Sequence, residues 1–82
     1  MRIEVNLPSL GDDDDAVTKG VVAFWLQKAG AALKAGDDLL ELTTDKAAFV
    51  VPSPESGTLM EYRVSEGDEV TVGDVLCVLE VG

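Results

Sequence analysis

The chain repeats itself. At an offset of 37 residues Gly20, Gly30 and Gly36 fall on Gly57, Gly67 and Gly73, Asp37 on Asp74, Leu39 on Leu76 and Leu42 on Leu79. These are six identities over positions 20–42, where composition alone gives roughly one or two. Trp25 with Tyr62, Leu33 with Val70 and Ala35 with Val72 extend the match in kind. A stacked repeat array needs about three or more units, because each buries its apolar face on its neighbours. Two copies therefore point to a closed domain in which each half covers the other. Pro8-Ser9 and Pro52-Ser53 match at an offset of 44, so the first copy is expected to carry seven extra residues in the segment 11–17.

Each half reads as β. Residues 21–26, 39–43, 48–51, 59–64 and 75–79 are short apolar runs bounded by Gly or Asp. Residues 28–30, 34–37, 65–68 and 72–74 carry turn chemistry, with Gly supplying positive φ. The stretch 29–35 has some helix propensity, but Gly30 and Gly36 bracket it and its repeat partner contains Val70-Thr71-Val72, so it reads as a short strand or turn. Many short strands with regular turns predict a small all-β barrel or sandwich.

At 82 residues the chain makes one domain, of a size that buries roughly 60–65% of its unfolded surface. There is no room for a second domain or a large substrate cleft. Sixteen acidic residues against six scattered basic ones give a net charge of −10, which argues against nucleic acid as a partner. The absence of histidine removes His-based acid–base catalysis and His metal sites. One cysteine, Cys77, permits neither an internal disulfide nor a Cys-cluster metal site, and its alignment with Leu40 predicts a buried core position. No apolar run approaches a membrane span, and the N-terminus lacks a targeting pattern, so a soluble intracellular domain is expected. Trp25 and Tyr62 are expected as core or half-buried sheet aromatics, and for Phe24 and Phe49 packing is expected ahead of the alternative, partly exposed partner contacts. The repeated glycines are expected at turns or bulges.

Thr44-Asp45-Lys46-Ala47 falls where the two halves join, between strands 39–43 and 48–51, and should be a tight hairpin tip. Asn-Gly and Asp-Gly are absent, but a type I turn accepts Asp-Lys at its centre. By the repeat, the chain termini should lie together at the pole opposite Lys46. An exposed lysine on a turn is ordinarily only a solvated charge. Asp12-Asp13-Asp14-Asp15 cannot pack in a core, so it reads as a solvent-facing loop, either a solubiliser or a recognition surface for a basic partner.

Leu42-Thr43-Thr44-Asp45-Lys46-Ala47, then Val51-Pro52-Ser53-Pro54 and Gly57 eleven residues after the lysine, resemble the lipoyl domain of 2-oxo acid dehydrogenase acyltransferase subunits. The resemblance runs along nearly the whole chain, through Val5-Asn6-Leu7-Pro8, Trp25-Leu26, Lys28-Ala29-Gly30, 66–70 and 72–76. It implies a flattened barrel or sandwich of two four-stranded antiparallel sheets related by a pseudo-twofold axis. It implies a single carrier domain over residues 1–82, the N-terminal part of a longer acyltransferase chain and not itself catalytic. Lys46, flanked by Asp45 and Ala47, would carry lipoate in an amide bond as a swinging arm. The implied partners are a thiamine-diphosphate-dependent 2-oxo acid decarboxylase, the acyltransferase core, dihydrolipoyl dehydrogenase and a lipoate-attaching enzyme. The isolated domain would be a monomer, in the bacterial cytoplasm or the mitochondrial matrix, touching neither membrane nor nucleic acid.

The resemblance also assigns a partner-recognition role to Asp12, Asp13, Asp14 and Asp15, and an indirect one to Gly57, which would set the approach of the chain after the hairpin. Two departures stand out. The family commonly has glutamate three residues before the lysine, where this chain has Thr43, and the aspartate run is an unusual first loop. The pattern from Asp-Lys-Ala to Pro-Ser-Pro looks nearest the pyruvate type, with branched-chain and acetoin enzymes as alternatives. A biotin carrier would flank the lysine with methionines, and the glycine-cleavage carrier adds helices for which there is no room. An unmodified interaction module is the remaining alternative. Replacing Asp12–Asp15 with Asn should slow reductive acylation of the lipoylated chain by its decarboxylase in steady-state assays, whereas an unchanged rate would leave the run a solubiliser.

Overall fold

A computed structural model describes residues 1–9 and 19–82. The described residues form eight strands: β1 Arg2–Asn6, β2 Lys19–Trp25, β3 Ala32–Leu33, β4 Asp38–Thr43, β5 Ala48–Pro52, β6 Gly57–Tyr62, β7 Glu69–Thr71 and β8 Val75–Glu80. They build two four-stranded antiparallel sheets, ordered β1-β8-β6-β3 and β5-β4-β2-β7. The expected all-β architecture is present as a sandwich of two sheets that do not close into one barrel. Residues 29–35 are indeed turn and short strand.

Exchanging the two halves exchanges the two sheets, strand for strand. Val22 pairs with Leu42 as Leu59 pairs with Leu79, and Gly20 pairs with Val70 as Gly57 pairs with Leu33. The irregularities repeat as well. Registers shift between Val22 and Phe24 and between Leu59 and Glu61, and again at Leu39 and Leu76. These bulges explain the unalternated apolar runs. Beside a bulge two successive residues turn inward, so Leu39 and Leu40 are both fully buried, as are Leu76 and Cys77.

Adjacent inward residues feed different cores. One cluster gathers Leu40, Leu42, Val22 and Leu7 from the first half with Val51, Val70 and Leu76 from the second. The other gathers Cys77, Leu79, Leu59 with Val5, Leu33 and Leu39. Neither half closes a core alone. Burial pushes the Cys77 thiol up to about 11, which marks it as a small apolar side chain rather than a redox group.

On the pseudo-twofold axis Trp25 meets Tyr62, with ring centroids 4.3 Å apart and planes inclined by 31°. Their polar tips are reciprocal. Trp25 Nε1 donates to the Val64 carbonyl (3.1 Å), and Tyr62 Oη donates to the Gln27 carbonyl (2.6 Å), again 37 residues apart. Phe49 packs against the first core as expected, but Phe24 does not pack: it is 58% exposed on the outer face of its sheet.

The offset of 44 read from the two Pro-Ser pairs is corrected by the strand registers. Val5 lies opposite Cys77 as Val51 lies opposite Leu40, and Leu7 N donates to the Asp74 carbonyl (2.8 Å) as Ser53 N does to Asp37 (2.7 Å). The true offset there is 46, so the first half carries nine extra residues (46 less 37), not seven. The Pro-Ser coincidence misleads because strand register is set by which face is buried, not by local identity. Ser53 occupies the place of Leu7. It is buried, with its hydroxyl donating to the Glu55 carbonyl at 2.7 Å.

Gly30, Gly36, Gly67 and Gly73 adopt positive φ of 93–97°, as their turns require. Gly20 and Gly57 belong to a different class. They sit in strands without positive φ, pressed against another backbone. A Cβ on Gly57 would collide with the Glu80 carbonyl oxygen and lie 3.1 Å from its carbon, whereas on Gly20 it would lie 3.2 Å from Thr43 O. Gly57→Ala should therefore cost about 1–3 kcal/mol as an overpacked site and more than Gly20→Ala, read as urea-unfolding midpoints.

Candidate functional site

Lys46 stands at the tip of the β4–β5 hairpin, as its place in the repeat predicts. Thr43 opposite Ala48 is the last rung of the sheet, and Thr44 N then donates to the Ala47 carbonyl at 2.9 Å, leaving Asp45 and Lys46 as the two exposed loop residues. Neither has positive φ, which excludes the mirror-image turns that Asn-Gly and Asp-Gly favour.

A two-residue loop with ordinary φ values fits the twist of a hairpin poorly, and one side chain compensates. The Thr44 hydroxyl donates to the Ala47 carbonyl (2.7 Å) and accepts from Ala47 N (3.0 Å) and Lys46 N (3.2 Å). One donor and two acceptor sites are all that a hydroxyl has, and all three are used inside the turn. The lysine backbone is thereby tied to the stem while its side chain faces outward. Gly20 on β2 completes the support. With no Cβ, it lets the hairpin base pack close, its would-be Cβ falling 3.2 Å from both Thr43 O and Thr44 Cγ2.

The pseudo-symmetric counterpart of the turn is the pair of chain ends. Met1 N donates to the Val81 carbonyl (2.8 Å) and Val81 N to the Met1 carbonyl (2.6 Å), standing where Ala47 and Thr44 stand in the other half. The two chain ends thus lie on the other sheet, in the position equivalent to the lysine tip. Gly57 belongs to that end, against Glu80 and Val81, and does not touch the lysine turn. The glycine that does is Gly20. Asp12, Asp13, Asp14 and Asp15 lie outside the described residues.

Two surface clefts of about 460 and 440 Å³ lie elsewhere, one between the β1 and β5 edges near Val5 and Val51, the other beside Trp25 and Tyr62. Lys46 lines neither. Among the described residues no group of three His, Cys, Asp or Glu side chains is placed to hold a metal ion. The turn presents one primary amine at a defined position beside the Asp45 carboxylate. That arrangement suits a lysine that is acted upon.

Sequence reasoning did not single out Thr44 or the contact of Gly20. Thr44 had a signal: its repeat partner is Val81, so the hydroxyl is a departure from the symmetry at the lysine tip.

A family model described as "Biotin-requiring enzyme" matches residues 3–80. The chain is 35% identical over 96% of its length to the dihydrolipoyllysine-residue acetyltransferase component of the pyruvate dehydrogenase complex of Corynebacterium glutamicum, of which it covers 11%. It is 40% identical over its full length to the dihydrolipoyllysine-residue succinyltransferase component of the 2-oxoglutarate dehydrogenase complex of Bartonella vinsonii subsp. berkhoffii, of which it covers 19%. The chain thus spans less than a fifth of these relatives. The solution structure of the lipoyl domain of the 2-oxoglutarate dehydrogenase complex from Azotobacter vinelandii superposes with a TM-score of 0.72 at 30% identity, covering 98% of both chains.

Thr44→Val keeps the shape of the side chain and removes the hydroxyl. Amide hydrogen exchange at Lys46 and Ala47 should then accelerate about fivefold, the equivalent of one net hydrogen bond of about 1 kcal/mol, and Thr44→Ser should restore protection.

Proposed function

The chain belongs to the biotin/lipoyl-attachment family, and on that premise we propose that it is a lipoyl carrier domain of a 2-oxo acid dehydrogenase acyltransferase, with Lys46 as the attachment residue. The observation that carries the assignment is one lysine held by its own backbone at an exposed two-residue tip. Its neighbours Asp45 and Ala47 favour lipoate over biotin, whose carriers place methionine on both sides.

The site fits the group. An amide needs only the Nζ atom and room for an acyl chain, and Lys46 is exposed and outside both clefts. In the attachment step Nζ, deprotonated, bonds to the carbonyl carbon of an activated acyl donor. One ammonium proton passes to solvent or to the attaching enzyme before attack, the bond from that carbon to its leaving group breaks, and the second proton lost from nitrogen goes to the leaving group or to the enzyme. The product is a neutral amide, so the formal net charge moves from −10 to −11. When bound, lipoate supplies a disulfide able to take up an acyl group with two electrons and to hand both on. The chain itself contributes position and tethering, which raises the local concentration of the carried group to about millimolar at each partner site.

The partners that follow are the thiamine-diphosphate-dependent decarboxylase, the acyltransferase core, dihydrolipoyl dehydrogenase and the lipoate-attaching enzyme, in the bacterial cytoplasm or the mitochondrial matrix. Relatives from both pyruvate and 2-oxoglutarate complexes support the 2-oxo acid class as a whole.

The test is the intact mass of the chain from its own host, with peptide mapping across Thr43–Val51. A lipoyl or octanoyl adduct on Lys46, abolished in Lys46→Arg, is the expected result. A biotin adduct would overturn the choice of group. No adduct, even with lipoate and a lipoyl ligase supplied, would leave an unmodified interaction module.

A further inference from the structure

The two halves provide an internal control for the outer faces of the sandwich. On the sheet that carries Lys46, Phe24, Glu41 and Val50 lie side by side across three strands, and Val21, Thr43 and Ala48 form the neighbouring row, the last before the turn. Phe24 is 58%, Val50 44% and Val21 40% exposed. The pseudo-twofold axis carries Phe24 onto Glu61, Val50 onto Glu4, Val21 onto Thr58 and Ala48 onto Arg2. There the one apolar member of the first row, Val78, lies between Glu4 and Glu61 and is buried.

The same backbone therefore accepts polar and charged side chains at every one of these places. The fold does not require Phe24, Val50 and Val21 to be apolar. Phe24 and Val21 share the outer face of β2, and Val50 stands two strands away beyond Glu41, so the three frame one face that leads to the stem of the lysine hairpin. Apolar side chains left exposed where the fold accepts charge point to an interaction surface.

The charges around the patch restrict its occupant. Glu41 lies within it and Glu69 opposite Val21, and neither is paired with a cation among the described residues. Asp45 follows at the tip. Against these stand Lys19 at the start of β2 and Lys46, whose charge amide formation removes. A net charge of −10 opposes a second copy of this chain and favours a surface with an apolar depression edged by Lys and Arg.

We infer that this face, Val21, Phe24 and Val50, is the docking surface for the enzyme that forms the amide at Lys46. The inference rests on the carrier reading above. Reach decides between candidate partners. Before attachment the amine extends from the hairpin by one lysine side chain only, so the attaching enzyme must come up against the stem to bring Nζ to its acyl carbon. Partners that meet the far end of the completed arm are freed from that contact. The stem is held rigid by Thr44 and Gly20, so gripping it positions the amine.

The unmodified 82-residue chain is the substrate for the test. Phe24→Thr with Val50→Thr retains strand propensity while removing the patch, Val21→Thr is a milder second variant, and Glu61→Thr with Glu4→Thr is the matched control on the other sheet. With a lipoate-attaching enzyme and lipoate supplied, KM and kcat are read from intact mass, and Kd from titration of the Lys46→Arg form. The double patch variant should raise KM and Kd at least tenfold with kcat within twofold, Val21→Thr less so, and the control should match the parent. Urea midpoints within error of the parent certify the fold. Patch variants that are forced to full lipoylation should be reductively acylated by the decarboxylase at the parental rate. A parental KM in the folded patch variants, or an equal rise in the control, would overturn the docking assignment. An equal loss at the decarboxylase step would overturn the restriction to the attaching enzyme. A parent chain that accepts no lipoate fails the carrier reading itself, and the docking assignment with it.

Discussion

Neither half of this chain can bury its own apolar residues, and everything else in the molecule depends on that. Each core cluster takes side chains from both halves, so a strand such as β4 must serve two clusters at once. Bulges at Leu39 and Leu76 meet the demand by turning adjacent residues to different sides. The Trp25–Tyr62 stack then locks the halves where their faces cross, with each polar tip bonded to the opposite half. A sandwich interlocked in this way has two equivalent ends. One joins the chain termini, and the other projects the turn that bears Lys46.

Once the symmetry is known, the departures from it become informative. Thr44 answers to Val81, and its hydroxyl exists only where a lysine has to be held. Leu7 answers to Ser53, a buried polar residue that satisfies itself locally and serves structure alone. Nine additional residues stand in the first half only. The outer sheet faces diverge most, apolar beside the lysine and charged opposite. Features shared by both halves build the fold, whereas the Thr44 hydroxyl and the exposed apolar side chains of Val21, Phe24 and Val50 are found only on the Lys46 side.

Much of this was legible in the residues. The repeat implied mutual closure, the turn chemistry located the strands, and the place of Lys46 between the halves located the tip. Phe24 was misjudged because an apolar residue in a short strand is ordinarily inward, and only the bulge between Val22 and Phe24 turns it out. Gly57 was linked to the lysine by an eleven-residue spacing, yet it supports the opposite end. Both repeat glycines look alike in one dimension, and what each touches depends on the strand that crosses it.

The sequence by itself determined the strand content, the twofold architecture and the lysine at the junction. Those rest on local backbone preferences and on a periodicity that is carried in the order of residues. Tertiary structure alone decided strand register, which glycine supports the turn, how a threonine hydroxyl is spent, and which outer face is left apolar. These follow from cross-strand partners distant in sequence, and from bulges whose position only the packing of two shared cores selects.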